Sequence, residues 1–241
     1  NFIFSHIKDN YSEYLTDDKR LLVIFRGINT DYFDSSTILE SDEDNLFKSW
    51  QLQVGKKVIL MPGRLTFWKG QEIFLEALNK VNIQLGNETF IAVILGSDQG
   101  RSLYKKKLIR LSEQHRLNKQ IIFIDNCNNM PLAYKISDFV VSASIEPEAF
   151  GRVSVEAQSM QKLILASNIG GSKETIIDNK TGLLFEASNS DDLSKKIIEA
   201  MNLEENTLKQ MGIEGRKNAI KKFNVEKMCF STYAEYKKLL T

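Results

Sequence analysis

Two glutamates eight positions apart, Glu148 and Glu156, and two cations five positions apart, Arg64 and Lys69, are the residues whose types and spacing can do chemistry together. The glutamates lie in EPEAFGRVSVE, which follows a strand-like run (Phe139–Ser142) and leads into a helical pattern through Met160. Gly151 stands just before that helix, where unpaired amides and the positive end of the dipole favour an anion. Glu148 falls in the loop and Glu156 about a turn into the helix, so both can flank one ligand. Carboxylates repel a diphosphate and accept from hydroxyls. In GRLTFWKG, also between a strand and a helix, Gly63 and Gly70 let the backbone turn and approach a ligand. Arg64 there offers a bidentate fork for phosphate and Lys69 a mobile point charge. No GxxxxGK[ST] loop is present. Phosphates in the middle with polyols on either side describe a nucleoside-diphosphate sugar. Glycoside hydrolysis by the two carboxylates would need an acid of raised pKa and leaves the phosphate-type loop without a purpose. A third segment, NIGGSKET (168–175), follows the run Leu163–Ala166, with Gly170-Gly171 permitting close approach. Each segment alone also reads blandly, as loop charges, as acids favouring a helix dipole, or as a tight turn that needs glycine.

The elements that must position these residues are visible as continuous apolar runs: Val58–Met61, Phe90–Leu95, Ile121–Ile124, Phe139–Ser142, Leu163–Ala166 and Leu183–Phe185. Runs that do not alternate are expected of strands buried on both faces of a parallel sheet. Helical stripes lie between them, including Ile73, Phe74, Ala77, Leu78 and Val81, then Tyr104, Leu108 and Leu111 with Lys105, Lys106 and Lys107 on the wet side. The order predicts an α/β fold, an open, doubly wound parallel sheet with right-handed crossovers. Ligands of such sheets bind at the carboxyl ends of strands, which are the loops carrying the segments above and Asp125-Asn126. Upstream, Phe2–Phe4 and Leu21–Phe25 read as strands and Ile7–Leu15 as a helix. A polar stretch leads to a helix around Glu43–Leu52. Three helices close the chain, Asp191–Leu203, Thr207–Phe223 and Val225–Leu240, with Ser190 and Thr207 as N-caps.

Composition excludes several alternatives. The 241 residues carry 32 basic and 31 acidic side chains, a net charge of +1, which argues against a nucleic-acid partner. Hydrophobic residues make up 42%, enough for a substantial core without disulfide or metal staples. No apolar run approaches the ~20 residues that span a bilayer, and no signal-peptide pattern opens the chain. The absent initiator methionine suggests that Asn1 is a cut end. Cys127 and Cys229 form no CxxC pair, which favours a reducing, cytoplasmic setting. His6 and His115 offer neither a zinc site nor a triad; His6 reads as structural and His115 as a solvated helix residue. The DxD-like Asp42-Glu43-Asp44 reads as a solvated helix start, and the basic helix around Lys209–Lys222 as a solvated face.

Taken together, GRLTFWKG, EPEAFGRVSVEAQSM and NIGGSKETIIDNKTGLLF resemble the C-terminal domain of the retaining glycosyltransferases of the family-four, group-one type. The resemblance runs from about Leu21 to the end, and the wording EAFGRVSVEAQ is similar to bacterial envelope-polysaccharide members. It implies a GT-B fold of two Rossmann-like halves and transfer from a nucleoside-diphosphate sugar with retention. It also implies no metal or other cofactor and a glycan or lipid-linked acceptor held by a missing N-terminal half. A cytoplasmic site with peripheral membrane contact would follow. Carried over, the resemblance makes Arg64, Lys69 and Glu148 the catalytic set. Arg64 and Lys69, beside Gly63, would neutralise the diphosphate. Glu148, with amides near Phe150 and Gly151, would hold the donor sugar. Val153 and Ser154 amides would meet phosphate, Glu156 the ribose, and Asp125-Asn126 the base. Asp125 stands where family members often have Gly, and Ala143-Ser144 where they often have Pro-Ser. The implied divisions are 1–30 as an N-terminal remnant and crossover, 31–224 as the donor domain, and 225–241 as a helix packing back. Such a fragment is expected to bind nucleotide weakly and transfer nothing. A noncatalytic nucleotide-sugar or phosphate sensor and a sugar-nucleotide epimerase remain the competing functions.

Overall fold

The computed structural model describes residues 22–86 and 89–240. Its six strands are β1 (Lys57–Pro62), β2 (Phe90–Leu95), β3 (Ile121–Ile124), β4 (Phe139–Ser142), β5 (Leu163–Ser167) and β6 (Leu183–Phe185). They form one parallel sheet in the order β3-β2-β1-β4-β5-β6. All six match the apolar runs of the sequence to within a residue at each end. The chain leaves β1 towards one edge and returns to β4 on the other side, so the direction of winding reverses between β1 and β4. Rossmann-like sheets bind ligands at that crevice.

Helices cover both faces. They are α1 (Glu40–Ser49), α2 (Gln71–Leu85), α3 (Ser102–Gln114), α4 (Met130–Lys135), α5 (Arg152–Ser159), α6 (Ser172–Thr175), α7 (Ser190–Asn202), α8 (Glu205–Phe223) and α9 (Val225–Leu240). One core layer packs Phe74, Leu78 and Val81 of α2 against Ile59, Phe90 and Phe139, with Ile197 of α7. The other packs Tyr134, Val155, Ala219 and Phe223 against Leu60, Val140 and Ile164. Alternate residues of β1 thus enter opposite layers, which is why its run shows no polar alternation.

Several expectations are corrected. Residues 22–25 form no strand: they lie along α9, with Leu22, Val23, Ile24, Met228 and Phe230 lining one groove. A helix has already spent its backbone groups, so it gives a strand nothing to pair with. The segment is fastened instead just beyond, where the Ile28 amide donates to the Phe223 carbonyl (2.8 Å) and the Val225 amide to the Ile28 carbonyl (2.9 Å). Helix α1 begins three residues before the expected Glu43, with Glu40, Asp42 and Glu43 all in its first turn, where the dipole favours them. The cap of α7 is Asn189 rather than Ser190, its side chain accepting from the Asp191 and Asp192 amides. Helix α8 starts at Glu205 with no side-chain cap, so Thr207 lies inside it. His115 ends α3 half-buried, with Nε2 buried and unbonded among the described residues; Leu117, two residues on, is core and draws the chain inward. The expected strand Phe2–Phe4, helix Ile7–Leu15 and His6 lie outside the described residues, as does Leu21.

The most constrained point is Gly70, with φ of 74°, where a Cβ would sit 1.8 Å from the Ala143 carbonyl oxygen. Gly55 has a similar φ of 86° and open space. Thermal or urea unfolding should therefore show Gly55→Ala costing about 1 kcal/mol from backbone strain alone, and Gly70→Ala at least ~3 kcal/mol. Equal costs would mean that the approach to Ala143 is not a tight constraint.

Candidate functional site

The loop after β1 and the loop after β4 form the two walls of the crevice. In the first, the Gly63 amide donates to the Leu95 carbonyl (2.8 Å) and the Leu65 amide to the Ser97 carbonyl (3.0 Å), which ties the loop to the end of β2. Gln71 donates its side-chain amide to the Arg64 carbonyl at 2.8 Å. Across the crevice, the Ile145 amide donates to the Trp68 carbonyl at 2.9 Å, joining the two walls directly. Trp68 carries both cations: the Lys69 ammonium lies 4.4 Å and the Arg64 guanidinium 5.9 Å from its ring centre. Arg64 is exposed, whereas the Lys69 side chain is only 13% exposed and forms a 2.7 Å ion pair with Glu148. Ser144 donates to the same Glu148 oxygen.

The second wall is held by the third sequence segment. The Gly171 amide donates to the Glu148 carbonyl (2.6 Å), and Cβ atoms at Gly170 or Gly171 would lie 2.6 Å from the backbone of Glu148 or Phe150. Gly170-Gly171 therefore brings backbone against backbone and fixes the loop that carries Glu148. Gly151, with φ of 73°, opens α5. The Ser154 amide donates to the Gly151 carbonyl (3.0 Å), which corrects its expected phosphate role. The first-turn amides without an acceptor inside the helix are those of Arg152 and Val153. Phe150 turns its ring into the core against Phe223, with centroids 5.8 Å apart, so only its backbone serves the crevice.

Glu156 lies deeper, with its side chain 8% exposed. It accepts from the Tyr134 hydroxyl at 2.8 Å and from Arg152 Nε at 2.5 Å. Burial lifts its carboxyl above the ordinary range, although the two donors pull the other way. Asp125 and Asn126 are exposed at the end of β3, two strands or about 10 Å from β1 at normal sheet spacing. Asp125 is ion-paired with Lys105, so Lys105 belongs to the rim of this end of the sheet rather than to a solvated helix face. The structure thus brings Gly63, Arg64, Lys69, Glu148, Gly151 and Glu156 around one crevice and leaves Asp125-Asn126 at its far end. Tyr134, Arg152, Ser144 and Trp68 join them unannounced. The i,i+4 spacing of Arg152 and Glu156 was a readable signal; Tyr134, in the apolar stretch MPLAYK, gave none.

The family model for group 1 glycosyl transferases matches residues 42–218. The chain belongs to the group 1 glycosyltransferases. It is similar to a crystal structure of a glycosyltransferase from Rickettsia africae, with 33% identity and a TM-score of 0.94 over all of this chain and 62% of that one. A lipopolysaccharide 1,2-N-acetylglucosaminetransferase of Salmonella typhimurium is 28% identical over 76% of this chain and 49% of its own length. An Anabaena protein crystallised with UDP-glucose shares the fold at 22% identity, with a TM-score of 0.84 over 96% of this chain and 61% of that one. The chain spans about half the length of the curated relatives it matches. Among the described residues, no group of three His, Cys, Asp or Glu side chains is placed to hold a metal, and no helix is long and apolar enough to cross a membrane. Cys127 and Cys229 are free thiols.

A second polar cavity, of about 410 Å³, opens at the amino ends of β4 and β5, opposite the crevice. Glu43 and Asp44, two of the three acids expected to be solvated, line it with Lys135, Asp138 and Lys162. Glu43 pairs with Lys135 (3.5 Å) and Asp138 with Lys57 (2.9 Å). The Lys162 ammonium donates to the Ser137 carbonyl (2.7 Å), and burial pushes its pKa down to about 8. Below pH 8 the charged amine is held at a cost in the folded chain; between pH 8 and ~10.4, the unfolded value, folding sheds that cost and stability rises. Denaturant unfolding should show Lys162→Met more stable relative to wild type at pH 7 than at pH 10.5, by roughly 3 kcal/mol. A pH-independent difference would contradict the burial of a charged amine.

Proposed function

We propose that residues 31–224 are the donor-binding half of a retaining glycosyltransferase that takes its sugar from a nucleoside diphosphate and needs no metal. The observation that carries this reading is the convergence on one crevice of two cations, the unpaired first-turn amides of α5 and two carboxylates of different burial. Departure of a nucleoside diphosphate develops negative charge, and fixed positive groups lower the barrier by meeting that charge in the transition state. Arg64, Lys69 and the amides of Arg152 and Val153 are such groups. Because their charge is the protein's own, the reaction does not call for a cation from solution.

Glu148 suits the sugar. As an ionised acceptor it takes hydrogen bonds from hydroxyls, and Ser144 and Lys69 already fix one of its oxygens. Lys69 is paired with Glu148, so an arriving diphosphate draws Lys69 to itself and frees Glu148 for the sugar. The cation and the carboxylate thus keep each other compensated until the ligand separates them. Glu156, further in, suits the ribose, and Asp125-Asn126 the base. The UDP-glucose in the Anabaena neighbour supports a uridine or related donor. The Salmonella relative supports a cell-envelope lipopolysaccharide or polysaccharide acceptor, handled at the cytoplasmic face of a membrane. The acceptor site belongs to a second half, with residues 1–30 and α9 as the connections to it. Tyr233, Tyr236 and Leu240 of α9, each at least 63% exposed, are the side chains such a half would cover.

Calorimetric titration of the 241-residue chain with UDP, GDP and ADP tests the reading. One nucleotide should bind, Lys69→Ala and Glu156→Ala should each weaken it about tenfold or more, and a chelator should leave it unchanged. Sugar transfer should be absent without the second half. Unchanged affinity in both variants would show that the ligand binds elsewhere.

A further inference from the structure

Glu156 is costly to keep. A carboxylate in a buried place loses hydration, and its partners must offset that loss. Its two partners differ in kind. Arg152 is 70% exposed at the first residue of α5, and pairs of that sort contribute little. Tyr134 is fully buried, its ring edge-on to Phe33 with centroids 6.0 Å apart, in a helix whose first turn is capped by Asn129. A buried phenol needs an acceptor, but a neutral glutamine oxygen would serve it without the penalty of a charge. A carboxylate at this point therefore has a use for its second oxygen.

We propose that Tyr134 is a positioning residue for nucleotide binding: by holding Oε2 of Glu156 it aims Oε1 at the ribose diol, which displaces the exposed Arg152. The inference rests on the donor-site reading above and goes beyond it in assigning the two oxygens different tasks. The groups around the carboxylate are few. Tyr134 from α4 and Arg152 from α5 act on it directly. Strands β4 and β5 beneath α5 carry no titratable side chain. From α8, Arg216 is bonded to Asp34 and to the carbonyls of Phe33 and Ser159. Helix α6 carries Lys173 and Glu174, neither of which contributes to the shift at Glu156.

The test is titration of the 241-residue chain with whichever of UDP, GDP and ADP binds most tightly, and with the 2′,3′-dideoxy form of that nucleotide. Tyr134→Phe should weaken the ribonucleotide about tenfold and leave the dideoxy form within about twofold. Removing a hydrogen bond to the charged carboxylate raises its pKa further, so the loss of affinity on acidification should move to higher pH in Tyr134→Phe. Glu156→Gln should abolish that acid loss, and Arg152→Ala should weaken the ribonucleotide less than about threefold. A general packing defect would instead weaken both nucleotides alike and leave the pH profile in place, and that result overturns the proposal. So does an unchanged ribonucleotide affinity in Tyr134→Phe when Glu156→Gln binds more weakly. If Tyr134→Phe does not fold, a tenfold loss of the dideoxy form in Arg152→Ala, restored by Arg152→Lys, would make Arg152 a phosphate contact and refute the division of tasks. If no nucleotide binds, or Glu156→Gln changes nothing, the donor-site reading itself fails, and the inference with it.

Discussion

The crevice depends on one backbone contact, the approach of Gly70 to the Ala143 carbonyl. The two strands at the reversal of winding, β1 and β4, are neighbours, but neighbouring strands alone would leave their exit loops free to splay. The Trp68 carbonyl accepting from Ile145, with Gly70 pressed against Ala143, closes that freedom. Lys69, between Trp68 and Gly70, then has little choice of direction. Glu148 meets it because Gly170 and Gly171 press the opposite loop from behind. Two glycine-bearing turns thus do by sterics what a disulfide or a bound ion does in smaller folds.

Electrostatics complete the arrangement by mutual compensation. Lys69 is compensated by Glu148 and Arg152 by Glu156, which leaves Arg64 as an exposed cation in the crevice of a chain whose overall charge is near zero. Such a site offers no broad field to attract anions at large. Lys69 becomes available to a ligand that can satisfy Glu148 at the same moment, which means one carrying both phosphate and hydroxyls. Inorganic phosphate would satisfy Lys69 and leave Glu148 without its cation.

Much of this was legible in the sequence because the physical causes are local. A strand buried on both faces has to be apolar throughout, so the six runs gave the sheet. Glycines beside charged residues at strand ends marked the loops. What was not legible depends on distant partners. Leu22–Phe25 has the composition of a strand, but its neighbour is a helix. Lys105 looked like one of three solvated lysines until β3 brought Asp125 alongside. Ser154 lost its phosphate role to a carbonyl three residues back. Tyr134 reads as core because it is core, apart from one oxygen.

The junction at Ile28 fastens two passages of the chain side by side. Ile28 bonds to the residues on either side of Asn224, and the Asn224 side chain donates to the Thr30 hydroxyl at 2.8 Å. A single connecting strand can bend and twist about its own axis. Two passages bonded side by side resist torsion better than one. Residues 22–27 and helix α9 are therefore tied to each other where they join the sheet domain, and Phe33, which lies against Tyr134, sits only a few residues inside that junction.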